Sequence, residues 1–346
     1  MKRLLVGAIL SLGAIAILTA AEASAGTLDN VKKKGFVQCG VSQGTTGFSL
    51  PDAQNNWTGL DVDFCRAVAS AIFGDPTKVK FSPLSAQDRF TALQSGEIDI
   101  LSRTTTWTMS RDTSMGFLFA GTTFYDGQGF MVRKALGVDS ALKLDGAAIC
   151  VAPGTTTELN LNDYFKAHGM TFKGVVIEDQ SQLRQAYDEG RCDVLTTDSS
   201  ILYSERSALK APGDHIVLPE VISKEPLGPL VRQGDDAWFN VVKWTYFALL
   251  DAEELGIKQS NVEDMKKSDN PEIRRVLGVA DAGGAAPGFG PGIGLEEDWV
   301  AKIVKGVGNY GEIFARNVGS GTPLNIARGV NALWKDGGLQ YAPPIR

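Results

Sequence analysis

The sequence predicts an α/β protein with two lobes, a mixed sheet in each lobe and two crossings between the lobes. Short apolar strands alternate with amphipathic helices along most of the chain. One local design occurs at residues 92–101 and again at 186–195: a helix ends at a Gly, and a short apolar strand containing Asp follows. The recurrence predicts two lobes of related construction with a cleft between them.

The first lobe starts with a predicted strand at 36–42 and a Gly/Thr loop in which Phe48 is a candidate exposed aromatic residue. Residues Leu60–Phe73 repeat apolar side chains at helical spacing. A second strand is predicted at 78–82, and another helix follows it. The β-rich apolar segment 117–132 is predicted to cross to the other lobe.

The second lobe starts with a predicted strand at 148–152. The segment 217–232 contains three prolines and is predicted to return to the first lobe, where an apolar helix spans 236–255. The predicted domains are therefore lobe 1 over 26–132 and 228–346, including a C-terminal extension over 256–346, and lobe 2 over 133–227.

The N-terminus has the pattern of a secretory signal peptide over residues 1–25. Lys2 and Arg3 precede an apolar run, and Ala23-Ser24-Ala25 forms a small-residue cleavage site. A membrane anchor is the alternative, because the apolar run is nearly long enough to span a bilayer. Cleavage predicts a soluble, exported protein.

Composition limits the chemistry that the chain can perform. The net charge is −6, without basic stripes, which gives no indication of nucleic-acid binding. The four cysteines lack Cys-x-x-Cys spacing, so a metal site is not expected. If the two lobes are as predicted, Cys39 pairs with Cys65 and Cys150 with Cys192; two other connectivities, or buried free thiols, are the alternatives.

Two strand ends carry polar groups of complementary charge. Residues 99–111 lead from an apolar strand into threonines and Arg111, which suits a carboxylate. The equivalent strand of the second unit ends at Asp198, which suits a cation. Thr155 and Thr156 open a predicted helix, whose N-terminus favours an anion, although plain N-capping also explains them. Together these ends would suit a zwitterion such as an α-amino acid.

The motifs Gly59-Leu60-Asp61-Val62-Asp63-Phe64, Thr106…Arg111, Gly154-Thr155-Thr156 and Asp198 resemble those of extracytoplasmic solute-binding proteins of polar amino-acid ABC transporters. The general L-amino-acid-binding type is most similar. This resemblance implies the periplasmic-binding-protein fold, a periplasmic location, an L-amino-acid ligand and a permease partner. A monomer without cofactor or metal is expected. The implied ligand-binding residues are Thr104, Thr106 and Arg111 for the carboxylate, Thr156 beside them, Asp198 for the amine, and Phe48 or Trp57 for stacking.

Two other functions use the same scaffold. A periplasmic dehydratase-type enzyme would need an acid or base in the cleft, for which Glu158 and Asp198 are the candidates. A ligand-sensing module would need a membrane tether or a partner receptor. Neither the preferred ligand side chain nor the role of the C-terminal extension follows from the sequence.

Overall fold

The computed structural model describes residues 26–280 and 283–346. The predicted signal peptide, residues 1–25, lies outside the described residues. Within the two described ranges, no helix combines the length and the apolar character that crossing a membrane requires. The described chain folds into an α/β molecule with two five-stranded sheets.

Strands and helices alternate, as the sequence predicts. The β-strands are β1 (Val37–Ser42), β2 (Leu50–Pro51), β3 (Trp57–Thr58), β4 (Val79–Leu84), β5 (Ile100–Leu101), β6 (Phe117–Phe119), β7 (Phe124–Asp126), β8 (Gln128–Arg133), β9 (Ala148–Val151), β10 (Lys173–Val176), β11 (Val194–Asp198), β12 (His215–Val217), β13 (Glu225–Leu227) and β14 (Leu230–Arg232). The α-helices are α1 (Thr27–Lys34), α2 (Leu60–Phe73), α3 (Asp88–Ser95), α4 (Thr156–Ala167), α5 (Gln180–Asp188), α6 (Ser199–Ser207), α7 (Asp236–Glu254), α8 (Val262–Met265), α9 (Pro271–Val276), α10 (Phe289–Gly292), α11 (Trp299–Val307) and α12 (Tyr310–Asn317).

The first sheet has the order β4-β1-β5-β14-β6 and is mixed. Strand β1 runs parallel to β4 and β5, whereas β14 returns antiparallel to β5 and β6. Helix α2 packs on β1, and the Cys39–Cys65 disulfide links the two elements. This half of the predicted disulfide pairing is confirmed.

The second sheet has the order β10-β9-β11-β8-β12 and contains the other predicted disulfide, Cys150–Cys192. Its strand β8 pairs antiparallel with β11 and β12. The sequence analysis placed residues up to 132 in lobe 1. In the structure, residues 128–132 belong to the second sheet, so the second lobe starts earlier than predicted. Phe130 and Val132 pack in its core, which explains the difference, and the crossing strands are β7 and β13.

The helix–Gly–strand unit recognised in the sequence occurs in both lobes. Gly96 and Gly190 each follow a helix in the left-handed conformation, with φ of 81° and 82°. Asp99 then accepts a hydrogen bond from the Gln38 N–H at 2.7 Å, and Asp193 accepts one from the Ala148 N–H at 2.9 Å. In both lobes the repeated Asp ties its strand to the start of a neighbouring strand.

The C-terminal extension packs on the first lobe. Helix α11 lies against α2 and α7, and α12 contacts the same two helices. Asp63 Oδ2 accepts hydrogen bonds from Arg316 at 2.8 Å and from the Asn317 amide at 2.7 Å. The extension therefore braces the helix whose N-terminus supports the candidate site.

Candidate functional site

A cavity of about 70 Å³ lies where the carboxyl ends of β5, β9 and β11 meet. Its polar wall residues come from both lobes: Arg89, Arg103, Thr104, Thr106, Thr155, Thr156, Thr157, Glu178, Gln180, Arg184, Thr196, Thr197, Asp198 and Glu205. Two contacts join the facing walls directly. The hydroxyls of Thr106 and Thr156 lie 3.3 Å apart, and Thr45 Oγ1 donates to Gln180 Oε1 at 3.4 Å. The cleft is closed in this structure.

The loop after β5 is held against helix α2 by one buried carboxylate. Asp61 accepts hydrogen bonds from the Ser102 hydroxyl and the Thr104 N–H, each at 3.0 Å. Burial raises the pKa of Asp61 to about 6. Thr104 has a φ of 38°, in a region that residues other than Gly rarely adopt. The bonds to Asp61 hold this strained residue in the wall of the cavity.

Three buried guanidinium groups lie on the first-lobe side of the cleft. Arg89 and Arg103 line the cavity, and Arg89 and Arg111 both pack over the Phe90 ring. Burial lowers the pKa of Arg103 and of Arg111 to about 10, so both remain charged at neutral pH. Burial and repulsion from the other two lower the pKa of Arg89. Among the described residues, none of the three forms an ion pair with a carboxylate.

The structure places Arg111 beside the cavity rather than in its lining. Its side chain is buried, and Nη1 donates to the Thr106 carbonyl at 2.7 Å. Arg89, which the sequence analysis did not select, contributes to the wall instead. A single Arg in the first turn of a predicted helix looks like a solvated residue, so no local signal distinguishes it.

The second-lobe wall begins at the N-terminus of helix α4. Thr155 caps this helix, because its hydroxyl accepts the Glu158 N–H at 3.1 Å. Thr156 and Thr157 follow in the first turn and line the cavity. The capping interpretation is therefore confirmed for Thr155, and Thr156 faces the first lobe, where ligand binding stays a prediction.

Asp198 ends β11 and lines the cavity, as expected from its place at a strand end. It is buried, and its Oδ1 has no hydrogen-bond partner among the described residues. Burial, followed by repulsion from Asp126 and Glu225, raises the pKa of Asp198 well above its usual range, although Arg89 and Arg111 oppose this. An ammonium group in the cavity would supply the missing donor and stabilise the carboxylate.

Glu225, on the returning strand β13, joins both lobes and was missed by sequence reasoning. It is fully buried, and its Oε2 accepts hydrogen bonds from Thr106 Oγ1 at 2.5 Å and Thr156 Oγ1 at 2.9 Å. Its Oε1 accepts from the Asn160 amide and the Ser223 hydroxyl. The hydroxyl protons predicted to bind a ligand carboxylate are thus donated to a carboxylate of the protein. A single Glu beside Pro226 in a crossing segment gives no sequence signal for this role.

The expectation that Phe48 is exposed and stacks on a ligand is wrong. Phe48 is 1 % exposed and packs edge-on against Phe124, with 5.3 Å between ring centroids. Its carbonyl accepts the Asp61 N–H at 3.0 Å, because the loop folds onto the start of helix α2 and turns the ring into the core. The alternative, Trp57, is also buried and packs against Phe81.

The far wall of the cavity contains a second polar network. Glu205 accepts hydrogen bonds from Gln180 Nε2 at 2.7 Å and Arg184 Nη1 at 3.1 Å. Both donors lie on helix α5 and the acceptor on α6. Arg184 pairs with Glu205 within the second lobe, and all three residues of the network line the cavity.

Comparison with known proteins identifies the same architecture. The family model of bacterial extracellular solute-binding proteins, family 3, matches residues 37–256. The general L-amino acid-binding periplasmic protein AapJ of Rhizobium johnstonii is 62% identical over 346 residues, covering 100% of both chains. The glutamate/glutamine/aspartate/asparagine-binding protein BztA of Rhodobacter capsulatus is 51% identical and covers 96% of this chain and 97% of its own.

Among solved structures, a periplasmic binding protein of an ABC transporter from Brucella ovis, with glutathione bound, superposes with a TM-score of 0.90. It is 61% identical and covers 93% of this chain and 100% of its own. Fold, cleft and sequence agree with the two-lobed binding proteins. The chain therefore belongs to family 3 of the bacterial extracellular solute-binding proteins.

Proposed function

We propose that this protein is a periplasmic receptor that binds L-amino acids in the cleft between its lobes and delivers them to the permease of an ABC transporter. The observation that carries the proposal is the meeting of opposite charges across a closed cavity, with Arg89 and Arg111 on one side and Asp198 on the other. A zwitterionic α-amino acid satisfies both signs at once. Charge pairing inside a closed cleft is stronger than at the surface.

In this proposal the α-carboxylate is held by Arg89 in the wall, by Arg111 beside it and by the hydroxyls of Thr104, Thr106 and Thr156, and the α-ammonium is held by Asp198. Thr106 and Thr156 exchange Glu225 for the ligand when it binds, since each hydroxyl has one proton to donate. The names of the relatives support the ligand class. Glutathione, bound by the Brucella ovis protein, also carries a free α-amino acid group on its γ-glutamyl end.

The compartment and partners follow from the same proposal. A cleaved signal peptide over residues 1–25 would deliver the chain to the periplasm, where the two disulfides are stable. The membrane permease would then receive the closed, loaded receptor, and we expect the receptor to be a monomer. Hinge closure of two lobes around a ligand is a common transition in this architecture.

A binding rather than an enzymatic role is supported by the engagement of the candidate acid–base groups. Glu158 accepts the Gly154 N–H at 2.9 Å, at the start of helix α4. His168 is bonded to the Tyr164 carbonyl and His215 to the Tyr187 hydroxyl, both away from the cavity wall. Of these candidates only Asp198 lines the cavity, together with Glu178 and Glu205, and no histidine belongs to the described part of its lining.

A thermal-shift screen of the mature protein against the common L-amino acids tests the proposal. A ligand that binds only the folded state raises the free energy of unfolding by mass action, by roughly 2.7 kcal/mol when its concentration is a hundred times Kd. The melting temperature rises accordingly. We expect shifts with several L-amino acids and none with their decarboxylated amines. Absence of a shift with every L-amino acid would contradict the proposed function.

A further inference from the structure

Another pocket, of about 230 Å³, lies on the first lobe between helices α7 and α9 and the C-terminal segment 334–345. None of its described lining residues lines the cleft. Three carboxylates contribute to its wall: Asp251 and Glu254 on helix α7, and Glu272 on helix α9. Among the described residues, none of the three forms an ion pair. The pocket is therefore acidic and is not used by amino-acid binding in the cleft.

Asp251 is the buried member of this acidic group. It is 9 % exposed, and its Oδ2 is shielded from water without a hydrogen-bond partner among the described residues. Burial, followed by repulsion from Glu254 and Glu272, raises the pKa of Asp251. A buried carboxylate without a partner is costly, and a cation beside it would offset both the burial and the repulsion.

Two exposed aromatic side chains complete the polar part of the wall. Trp334 is 51 % exposed and Tyr341 is 61 % exposed, and their rings lie edge to face with 5.7 Å between centroids. The Trp334 indole N–H donates to the Glu254 carboxylate at 3.2 Å, which joins the aromatic pair to the acidic group. The faces of Trp and Tyr rings attract ammonium and guanidinium groups. Rings and carboxylates in one pocket therefore favour the same class of ligand.

The basic residues of the chain that adjoin this pocket have other partners. Arg275 Nε donates to the Ile345 carbonyl at 3.1 Å, and Lys335 pairs with Asp336 at 3.1 Å. The part of the chain that the structure describes also contains no group of three or more His, Cys, Asp or Glu side chains placed to hold a metal ion. The chemistry of the pocket thus fits an organic cation.

We propose that this pocket binds the guanidinium or primary ammonium group of an organic cation. Asp251 and Glu254 supply the opposite charge, and the two aromatic rings contact the cation from the exposed side. The same chemistry would recognise a free guanidinium compound and an Arg side chain of another protein, and the test separates these two sources. The site is independent of the cleft, so it does not rest on the proposed function.

The test is an NMR titration of the mature protein at pH 8, where most Asp251 side chains are ionised. The indole N–H resonance of Trp334, assigned by its loss in Trp334→Phe, reports on this pocket and not on the cleft. We expect n-butylguanidinium to shift this resonance with a Kd of about 1 mM or tighter. Its uncharged analogue n-butylurea has a similar shape and should bind at least about tenfold more weakly.

A blocked tripeptide with Arg between two Ala residues distinguishes the sources. Binding at least about tenfold tighter than that of n-butylguanidinium would assign the pocket to an Arg side chain of a protein partner. Equal or weaker binding of the peptide would assign it to a free cation. No saturable shift with either guanidinium probe, or equal affinities for n-butylguanidinium and n-butylurea, would overturn the site.

Variants assign the binding to its residues. Asp251→Asn removes a charge at nearly constant size and should weaken n-butylguanidinium binding at least about tenfold. Asp236→Asn is the matched control: it removes the same charge from an exposed position on helix α7, roughly 22 Å away along the axis, and should change the affinity less than about twofold. Tyr341→Leu should weaken binding about threefold. An unchanged affinity in Asp251→Asn would contradict the proposal.

Discussion

Asp198 shows how burial prepares a single residue for a cation. Its Oδ1 lacks a partner among the described residues, and Asp126 and Glu225 add repulsion to the cost of burial. In the proposed site, a ligand ammonium would offset both penalties, so binding would favour the ionised carboxylate. The charges around Asp198 therefore contribute to its proposed role as the acceptor for a ligand ammonium.

Replacement of Asp198 by Asn should abolish most of the affinity for amino acids. Loss of one member of a buried charge pair costs about 2–5 kcal/mol, or roughly 30- to several-thousand-fold in Kd. Arg111→Gln should cost a similar amount, because it removes a charge on the opposite side. Calorimetry measures both, with Asp236→Asn, an exposed acid outside the cleft, as the control. Affinities like those of wild type in both variants would exclude the assigned site.

The raised pKa of Asp198 also predicts a pH dependence of binding. Below that pKa the apo carboxyl is protonated, and an ammonium ligand must displace the proton. Affinity should therefore fall as pH is lowered through the apo pKa and become independent of pH above it. Calorimetry in two buffers of different ionisation enthalpy measures the released proton. Affinity that is constant or rises towards acid pH would contradict this account.

Asp251 carries a raised pKa outside the cleft. Burial, with repulsion from Glu254 and Glu272, raises its pKa to about 7, and its Oδ2 has no partner among the described residues. A carboxyl with a higher pKa in the folded state loses stability as pH rises through that pKa, and regains it as pH falls towards the unfolded value. Because the ordinary pKa of the carboxyl is 3.8, this loss begins near pH 4 and is complete only above pH 7. Asp251→Asn should therefore stabilise the protein at pH 8 by about 1–3 kcal/mol, with a higher melting temperature, and have little effect near pH 4. An equal change at both pH values would show that ionisation is not the cause.

At the scale of elements, the turn at Gly59 joins the core to the site. Its φ is 133°, and a Cβ there would lie 2.1 Å from the Phe48 carbonyl. The next two residues start helix α2 and include Asp61, which holds the loop of Thr104. Sequence analysis identified this Gly-Leu-Asp motif, but the function of its Asp as a support for the loop became visible only in the structure.

Gly59→Ala should destabilise the protein by more than about 2 kcal/mol, since a backbone clash cannot be relieved by a side-chain rotation. Gly213→Ala is the matched control, because nothing lies within 4 Å of its Cβ position. Urea denaturation compares the two variants. Equal stabilities would mean that the loop at Phe48 adapts without cost.

Across the whole molecule, the closed cleft holds like charges together. Among the described residues, three guanidiniums lie near Asp198 and Glu225 without direct ion pairs, and hydroxyls bonded to Glu225 connect the two walls. A ligand that takes these hydroxyls from Glu225 and compensates the buried charges is expected to stabilise the closed cleft, whereas the free receptor relieves the repulsion by opening. Small-angle X-ray scattering should therefore give a smaller radius of gyration with saturating ligand than without it. A radius that does not change would contradict closure by the ligand.

The sequence by itself determined the alternation of strands and helices, the repeated helix–Gly–strand unit, and Asp198 at its strand end. Each of these depends on local periodicity, on left-handed Gly positions or on the order of residues along one strand. The sequence favoured the disulfide pairing within each lobe, and the structure selected it from the alternatives. Only the tertiary structure decided that Phe48 is a core residue and that Arg89 lines the cleft. It also decided that Glu225 accepts hydrogen bonds from the Thr106 and Thr156 hydroxyls, which the sequence analysis assigned to the ligand. Those facts depend on which distant segments meet: 119 residues separate Thr106 from Glu225, and no local pattern records which surface the folded chain will cover.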